Sequence, residues 1–177
     1  MLAIAAGIPL GAWTARSRTL RNVSLATVNL VRVVPSLAIL TLALPYLGLG
    51  FRPALVALTF LAIPPIVINT DLGLRSVAAS VLEAARAVGM THAQVSRRVQ
   101  WPLAMPIVFT GVRTAAVEVI ASATLAAFIG GGGLGEYVVN GLANNDTGSL
   151  LEGAVSVALL ALATEYGLAA VGRRLER

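Results

Sequence analysis

Few side chains in this sequence have the chemistry that catalysis needs. The chain has no cysteine, a single histidine (His92), and 13 basic residues that are all arginine. Thiol catalysis, Cys-ligated zinc and lysine Schiff-base chemistry are therefore excluded. The 8 acidic residues are spread along the chain and do not form the converging set of groups that an enzyme needs. We interpret His92, which follows a threonine at a predicted helix start, as an ordinary surface residue.

One glycine pattern resembles a nucleotide site. Gly130, Gly132 and Gly135 have the spacing G-x-G-x-x-G. That spacing indicates dinucleotide binding only between a strand and a helix of a βαβ unit. Here it follows a long apolar stretch, so we interpret the glycines as a tight, flexible turn where the chain leaves a membrane helix. A gate at the mouth of a pathway and plain close packing both remain open as roles for this turn.

Ionisable residues inside apolar stretches are functional candidates by default, and we single out three of them. They are Arg113, Glu118 and Glu165. Arg113 and Glu118 are five positions apart, which is about 140° around a helix, so they are poor partners for each other. Arg113 is expected to extend its side chain toward the inner interface. For Glu118, facing a transport pathway and forming a buried structural pair stay as alternatives.

The longest polar stretch, 70–102, contains more helix-capping signals than a simple connection between two membrane helices needs. Asp71 is expected to cap a helix that stops at Gly89, where glycine suits a left-handed C-terminal residue. Thr91 and Gln94 then have the spacing of a capping box and predict a second helix. Two capped helices form a rigid lever that is suited to transmitting force to a partner. A solvated helical hairpin without a partner is the alternative.

Composition shows the surroundings in which these residues must work. The chain has 177 residues, of which 57% are hydrophobic and 12% charged, and its mean hydropathy is +0.84. A soluble domain has about 25% charged residues. This chain has too few charges to cover a soluble surface, and we predict an all-α integral membrane protein of one domain, 1–177. A soluble helical bundle is the weaker alternative.

A membrane helix needs about 20 apolar residues to cross roughly 30 Å of hydrocarbon. On that length we predict about five transmembrane helices, the first of them truncated or assigned a late start: 1–13, 23–44, 54–69, 103–129 and 150–171. Gly7 and Gly11 in the first stretch have the small-xxx-small spacing that lets a neighbouring helix approach closely.

Prolines and glycines predict where these helices break. Pro35 is expected to kink or interrupt the second span, and the pair Pro64-Pro65 to break the third near its end. Residues 45–53 are interpreted as a short, turn-rich connection. Residues 130–148 are interpreted as a loop rich in glycine and asparagine.

The arginines indicate the orientation in the membrane. Ten of them fall in segments that alternation places on one side: Arg16, Arg18, Arg21, Arg75, Arg86, Arg97, Arg98, Arg173, Arg174 and Arg177. The opposite connections hold only Arg52. Because cytoplasmic loops carry the excess of arginine, the 70–102 loop and the C-terminus are predicted to be cytoplasmic.

The polar loop resembles a known motif. Its spacing E-A-A-x3-G-x9-V-x-W-P is similar to the EAA loop of ATP-binding-cassette importer permeases, E-A-A-x3-G-x9-I-x-L-P. The matching residues are Glu83, Ala84, Ala85, Gly89, Val99 and Pro102. In that family the loop is a coupling helix that docks into a cleft on a cytoplasmic ATPase subunit. The resemblance implies that Glu83 makes a polar contact with the ATPase and that Gly89 supplies the turn.

Further segments narrow the resemblance to permeases for osmoprotectants such as glycine betaine, choline and carnitine. They are Val34-Pro35-Ser36-Leu37-Ala38, Leu47-Gly48-Leu49-Gly50, Asn69-Thr70 with Gly73-Leu74, Gly111-Val112-Arg113, and Phe128 to Gly135. Methionine permeases share the general plan and are the first alternative. An ATP-independent channel or carrier is a weaker one. Candidate pathway or gate residues are Pro35, Ser36, Asn69, Glu118, Ser122, Gly132 and Gly135.

The resemblance also implies partners and a location. The chain is expected to be a non-enzymatic transport subunit of a bacterial inner or plasma membrane that binds no cofactor or metal. ATP would bind to a separate ATPase subunit. Further expected partners are a second permease copy or paralogue, an extracytoplasmic substrate-binding protein and the lipid bilayer, but no nucleic acid. Aromatic residues make up only 5% of the chain, so we expect selectivity to reside mainly in the binding protein.

Overall fold

The computed structural model describes residues 1–16 and 34–175. Within these ranges every regular element is helical. The helices are α1 (Leu2–Thr14), α2 (Ser36–Leu47), α3 (Phe51–Ser76), α4 (Ala79–Ala87), α5 (His92–Val95), a π-helical segment (Ser96–Gln100), α6 (Trp101–Ala126), a 3-10 turn (Ala127–Ile129), α7 (Gly135–Asn144) and α8 (Thr147–Leu175). The all-α fold is confirmed.

In the described part of the chain, three helical stretches are long and apolar enough to cross a membrane. They are Phe51–Ser76, the continuous stretch His92–Ile129, and Thr147–Arg173. The helices α1 and α2 are apolar but shorter. The predicted span 23–44 begins in residues that lie outside the described part of the chain.

Glycines allow the central helices to approach closely. A Cβ at Gly111 on α6 would lie 2.6 Å from the Cβ of Asn69 and 2.8 Å from the carbonyl oxygen of Pro65, both on α3. On α1, a Cβ at Gly7 would lie 2.8 Å from Ile66 Cγ2, and Gly11 lies equally close to α3. The expected small-xxx-small contact of α1 is therefore confirmed. Packing of α3 against α1 and α6 forms the centre of the bundle.

The structure corrects the expected break at Pro64-Pro65. Helix α3 runs through both prolines and ends only at Ser76. Both prolines are buried against neighbouring helices, and Asn69 Nδ2 donates to the carbonyl oxygen of Pro65 at 2.8 Å. Packing and side-chain hydrogen bonds inside a bundle offset the backbone bonds that proline removes. The first residues of the predicted 70–102 loop therefore belong to the end of a membrane helix.

The ends of α2 also differ from expectation. Pro35 does not lie inside the helix but directly precedes it, at the N-terminal cap. At the other end α2 continues through Pro45 to Leu47, so the connection 45–53 shrinks to the residues 48–50. Gly48 and Gly50 in this connection have φ of +72° and +115°, which favours glycine.

The loop predicted over 130–148 contains a helix, α7. Glycine at position 141 allows α7 to pack closely on α8, because a Cβ at Gly141 would lie 2.6 Å from Leu150 N. Asp146 then begins α8, because its carboxylate accepts from the Ser149 hydroxyl at 2.6 Å and from the Gly148 N–H at 2.9 Å. These hydrogen bonds, that of the Ser149 hydroxyl first, lower the pKa of Asp146 below its usual value. The glycine and asparagine content concealed a helix that contacts with α6 and α8 stabilise.

The closeness of α3 and α6 generates a prediction. Gly111→Val should destabilise the protein by about 1–3 kcal/mol, because the added side chain overlaps backbone atoms that cannot move aside. The measurement is thermal unfolding of the purified protein in detergent. Gly167→Val on α8 is the control, since a Cβ there meets nothing within 4 Å. Equal unfolding temperatures for the two variants would show that the contact does not constrain packing.

Candidate functional site

The turn at Gly89 shapes the polar loop. Helix α4 ends in a Schellman motif, in which Met90 N donates to Ala85 O at 3.2 Å and Gly89 N donates to Arg86 O at 2.9 Å. Gly89 has φ of +87°, and a Cβ there would meet nothing within 4 Å. Glycine is therefore needed for the backbone conformation and not for space, as the sequence predicted.

The second helix of the loop begins with the predicted capping box. Gln94 N donates to Thr91 Oγ1 at 3.4 Å, and Thr91 N donates to Gln94 Oε1 at 2.8 Å. The capping box is therefore confirmed. The start of α4 differs, because α4 begins at Ala79 without a side-chain cap and Asp71 lies inside α3. The expectation that Asp71 caps this helix is wrong.

The six EAA-motif residues divide by exposure. Glu83 and Ala84 are exposed, whereas Ala85 is buried. Val99 is half-buried in the π-helical segment, and Pro102 is exposed at the second position of α6 without breaking the helix. The loop also exposes apolar side chains, among them Val88.

The loop surface also carries basic residues. Arg86, Arg97 and Arg98 are exposed, and so are two valines, Val81 and Val88. A surface that joins one carboxylate, apolar side chains and arginines has the mixed chemistry of a protein-docking surface.

The two ends of the loop are joined by a hydrogen bond that the sequence did not indicate. Gln100 Nε2 donates to the carbonyl oxygen of Leu74 at 3.0 Å. That carbonyl lies in the last turn of α3, where helix carbonyls lack an intrahelical partner. Gln100 ends the π-helical segment through which α5 continues into α6. Movement of α4 and α5 must therefore reach both α3 and α6.

A second contact, the Thr14–Asp71–Arg75 cluster, lies within one helical turn of Leu74 on α3. Asp71 is 2% exposed and accepts from Arg75 Nε at 3.1 Å. Thr14, 1% exposed, places its hydroxyl 3.1 Å from Asp71 Oδ1, and Arg75 Nη2 donates to the Thr14 carbonyl at 2.9 Å. The cluster ties the end of α1 to α3. In the sequence, only the i,i+4 spacing of Asp71 and Arg75 could have indicated it.

A second ion pair links α6 to α8. Arg113 Nη2 donates to Glu165 Oε1 on α8. The expectation that Arg113 extends toward the inner interface stays a prediction. Charged groups at membrane depth are costly unless they are paired. The pair borders a cavity of about 250 Å³ that Tyr166 and Arg173 also line. Glu118 is half-buried on α6. Facing a transport pathway and forming a buried structural pair both stay open as its role.

The candidate pathway residues do not meet in one cavity. Pro35 and Ser36 lie at the start of α2, and Asn69 contacts Gly111 at the interface of α3 and α6. Ser122 is half-buried on α6.

The two candidate glycines lie at the other end of α6. Gly132 and Gly135 line a cavity of about 140 Å³ beside Thr124. Gly132, with φ of +76°, follows a turn that is held to the α2–α3 connection by a 2.8 Å hydrogen bond from Gly50 N to Ile129 O. The turn that the sequence predicted is therefore present, and its role as a gate stays a prediction.

Apolar helices of membrane length, with a capped and exposed helical loop at one end, define a multi-pass membrane protein built to engage a partner outside the bilayer. The chain belongs to the family of binding-protein-dependent transport system inner membrane components, which matches residues 7–177. It is thus a permease subunit of an ATP-binding-cassette importer, and the resemblance drawn from the EAA loop is confirmed.

Relatives with known names are similar along nearly the whole chain. The choline transport system permease protein OpuBB of Bacillus subtilis (strain 168) is 41% identical over 175 residues, which cover 99% of this chain and 81% of the relative. The carnitine transport permease protein OpuCB of Listeria monocytogenes is also 41% identical, with coverage of 99% and 80%. The osmoprotectant import permease protein OsmW of Salmonella typhimurium is 38% identical, with coverage of 93% and 79%.

Solved structures share the fold. An inward-facing structure of the MetNI methionine ABC transporter superposes with a TM-score of 0.87 and covers 99% of this chain and 88% of that chain. The sequence identity is 23%, so this likeness shows the architecture alone.

The Thr14–Asp71–Arg75 cluster generates a prediction. Asp71→Ala should lower the free energy of unfolding by about 1–3 kcal/mol, because the half-buried Arg75 guanidinium loses an acceptor and the buried Thr14 hydroxyl keeps only the Gly11 carbonyl. Chemical or thermal unfolding of the purified protein measures the effect. Glu136→Ala removes an exposed carboxylate from α7 and serves as the control, with an expected change near zero. Equal stability of the two variants would show that the cluster does not hold α1 on α3.

Proposed function

We propose that this permease moves a quaternary-ammonium osmoprotectant, of the choline, glycine betaine or carnitine type, into the cytoplasm. The observation that carries the proposal is the 41% identity to a choline permease along 99% of this chain. Two further named relatives take carnitine or osmoprotectants as their substrates. A methionine-type amino-acid permease is the second candidate, because methionine permeases share the general plan of the sequence motifs.

We further propose that a separate ATPase subunit docks on α4 and α5 and supplies the energy. The exposed Glu83, the apolar Val88 and the nearby arginines offer this subunit polar and apolar contacts. ATP binds to that subunit, and this chain binds no cofactor or metal. Closure of the ATPase pair would pull the loop, and the Gln100–Leu74 hydrogen bond would pass the movement to α3 and α6 together.

The orientation proposed from the arginines places the loop and the C-terminus in the cytoplasm of a bacterial cell, with the glycine turn and α7 on the outer side. A substrate-binding protein would deliver substrate there. In the most hydrophobic window of α8 no residue is buried by the described part of the chain. We infer that a second permease copy or a paralogue covers part of this face and completes the pathway, and that lipid covers the rest.

The coupling proposal is tested at Gly89. Gly89→Val should abolish ATP-driven uptake and weaken association with the ATPase, because a β-branched residue is strained at a φ of +87°. Gly89→Asn should retain part of both activities, since asparagine tolerates the left-handed region. Uptake into proteoliposomes and co-purification of the ATPase are the measurements. Gly167→Val on α8 is the control. Intact uptake and association in Gly89→Val would show that the coupling assignment is wrong.

The substrate proposal is tested by reconstituting the permease with its ATPase and candidate binding proteins. We expect binding protein loaded with choline, glycine betaine or carnitine to stimulate ATP hydrolysis and uptake. Stimulation by a methionine-loaded binding protein alone would support the second candidate instead. Uptake that needs no ATPase would indicate a channel or carrier.

A further inference from the structure

An open cavity of about 570 Å³ lies between α7 and α8. Its lining residues are Leu134, Tyr137, Leu151, Glu152, Val155 and Ser156. The volume is within the range of about 300–1,000 Å³ that small-molecule pockets have in proteins. The lining combines one carboxylate and one aromatic ring with aliphatic side chains. None of these residues was a candidate from the sequence.

Close helix packing brings Tyr137 and Glu152 to this cavity. A Cβ at Gly153 would lie 2.9 Å from the Cβ of Tyr137 and 2.7 Å from Val138 Cγ2, so α7 rests directly on α8 beside Glu152. The absence of side chains at Gly141 and Gly153 sets this register. The Tyr137 side chain is 52% exposed and Glu152 is exposed, so both groups are open to a ligand.

Glu152 does not stabilise the described fold through an ion pair. Within residues 1–16 and 34–173, no arginine pairs with Glu152, whereas Asp71 pairs with Arg75 and Glu165 with Arg113. A carboxylate inside the first turns of an apolar membrane helix is costly, and such residues mark ligand or ion pathways. The cavity at Arg113 and Arg173, toward the other end of α8, has the opposite chemistry and does not suit a cation.

We propose that this cavity binds the quaternary-ammonium group of the transported substrate, with Glu152 balancing its charge and Tyr137 presenting its ring face. A trimethylammonium group has no N–H, so it is recognised by charge, aromatic faces and apolar contacts and not by hydrogen bonds. Leu134, Leu151 and Val155 supply the apolar contacts for its methyl groups. This inference rests on the proposed function.

The position of the cavity suits an entry site. It lies at the end of α6 opposite the coupling loop, directly after the glycine turn 130–133. In the proposed orientation this is the outer side, where a binding protein releases substrate. The permease then has its own selectivity for cations, in addition to that of the binding protein. From the few and scattered aromatic residues, the sequence had suggested that selectivity resides mainly in the binding protein.

Binding of choline to the purified permease–ATPase complex, without binding protein, tests the proposal. Isothermal titration calorimetry then reports only sites on the complex. Tyr137→Leu should weaken binding by about 3- to 30-fold, and Glu152→Gln by a comparable factor. Tyr137→Phe keeps the ring face and should bind like the unmodified protein. The neutral isostere of choline, with a tert-butyl group in place of trimethylammonium, should bind more weakly than choline to the unmodified protein.

Matched controls separate this site from general damage. Tyr166→Leu removes an exposed ring from α8 outside the cavity, and Glu136→Gln neutralises an exposed carboxylate next to Tyr137. Both should leave binding unchanged. Co-purification of the ATPase with every variant shows that the permease has folded. A variant at Tyr137 or Glu152 that fails this check is replaced by Tyr137→Ile or Glu152→Asn.

Two results overturn the proposal separately from the substrate assignment. If the complete importer takes up choline but the complex does not bind it, or binds it equally well in Tyr137→Leu and Glu152→Gln, the cation site is wrong and the proposed function stands. If the complete importer takes up no quaternary ammonium compound with any binding protein, the proposed function fails and the site assignment fails with it.

Discussion

The close contact between α3 and α6 holds the other elements in place. In hydrocarbon, burial of apolar surface does not drive helices together, so association depends on van der Waals packing and on small residues at the interface. Gly111 meets this need, because its position faces the Pro65 carbonyl and the Asn69 side chain of α3 at distances that exclude any Cβ. A Cβ at Gly73 would lie 3.0 Å from the Ala104 carbonyl oxygen, which is also a close approach, nearer the polar loop. The prolines of α3 remain helical because this contact encloses them.

The coupling loop is built on the ends of these same two helices. It leaves α3 after Ser76 and returns through the π-helical segment into α6 at Trp101. Gln100 joins the two ends, and the Thr14–Asp71–Arg75 cluster adds α1 to the same unit. In the proposed coupling, a force applied to α4 and α5 would reach three helices, and the Schellman motif and the capping box would stiffen the loop that transmits it.

The few charges of this chain are divided between two uses. Asp71 with Arg75 and Glu165 with Arg113 hold helices together, and the arginines of the coupling loop remain exposed at one end of the molecule. At the other end, Glu152 lies beside Tyr137 in an open cavity and pairs with no described cation. Energy input and substrate recognition are thus proposed at opposite ends of α6, with the packed centre between them.

Local patterns in the sequence determined the helical membrane class, the turn at Gly89 and the capping box of Thr91 and Gln94. Each depends on composition or on residues within a few positions of one another, and the EAA spacing added the family. Tertiary structure alone decided that α3 continues through Pro64-Pro65, that residues 135–144 form a helix, and that Asp71 meets Thr14, 57 positions away. These outcomes depend on contacts between distant segments, whose packing energy outweighs the local preference of proline, glycine or aspartate. The spacing of residues along the sequence does not indicate such contacts. The tertiary fold alone therefore brings Tyr137 and Glu152 to one cavity.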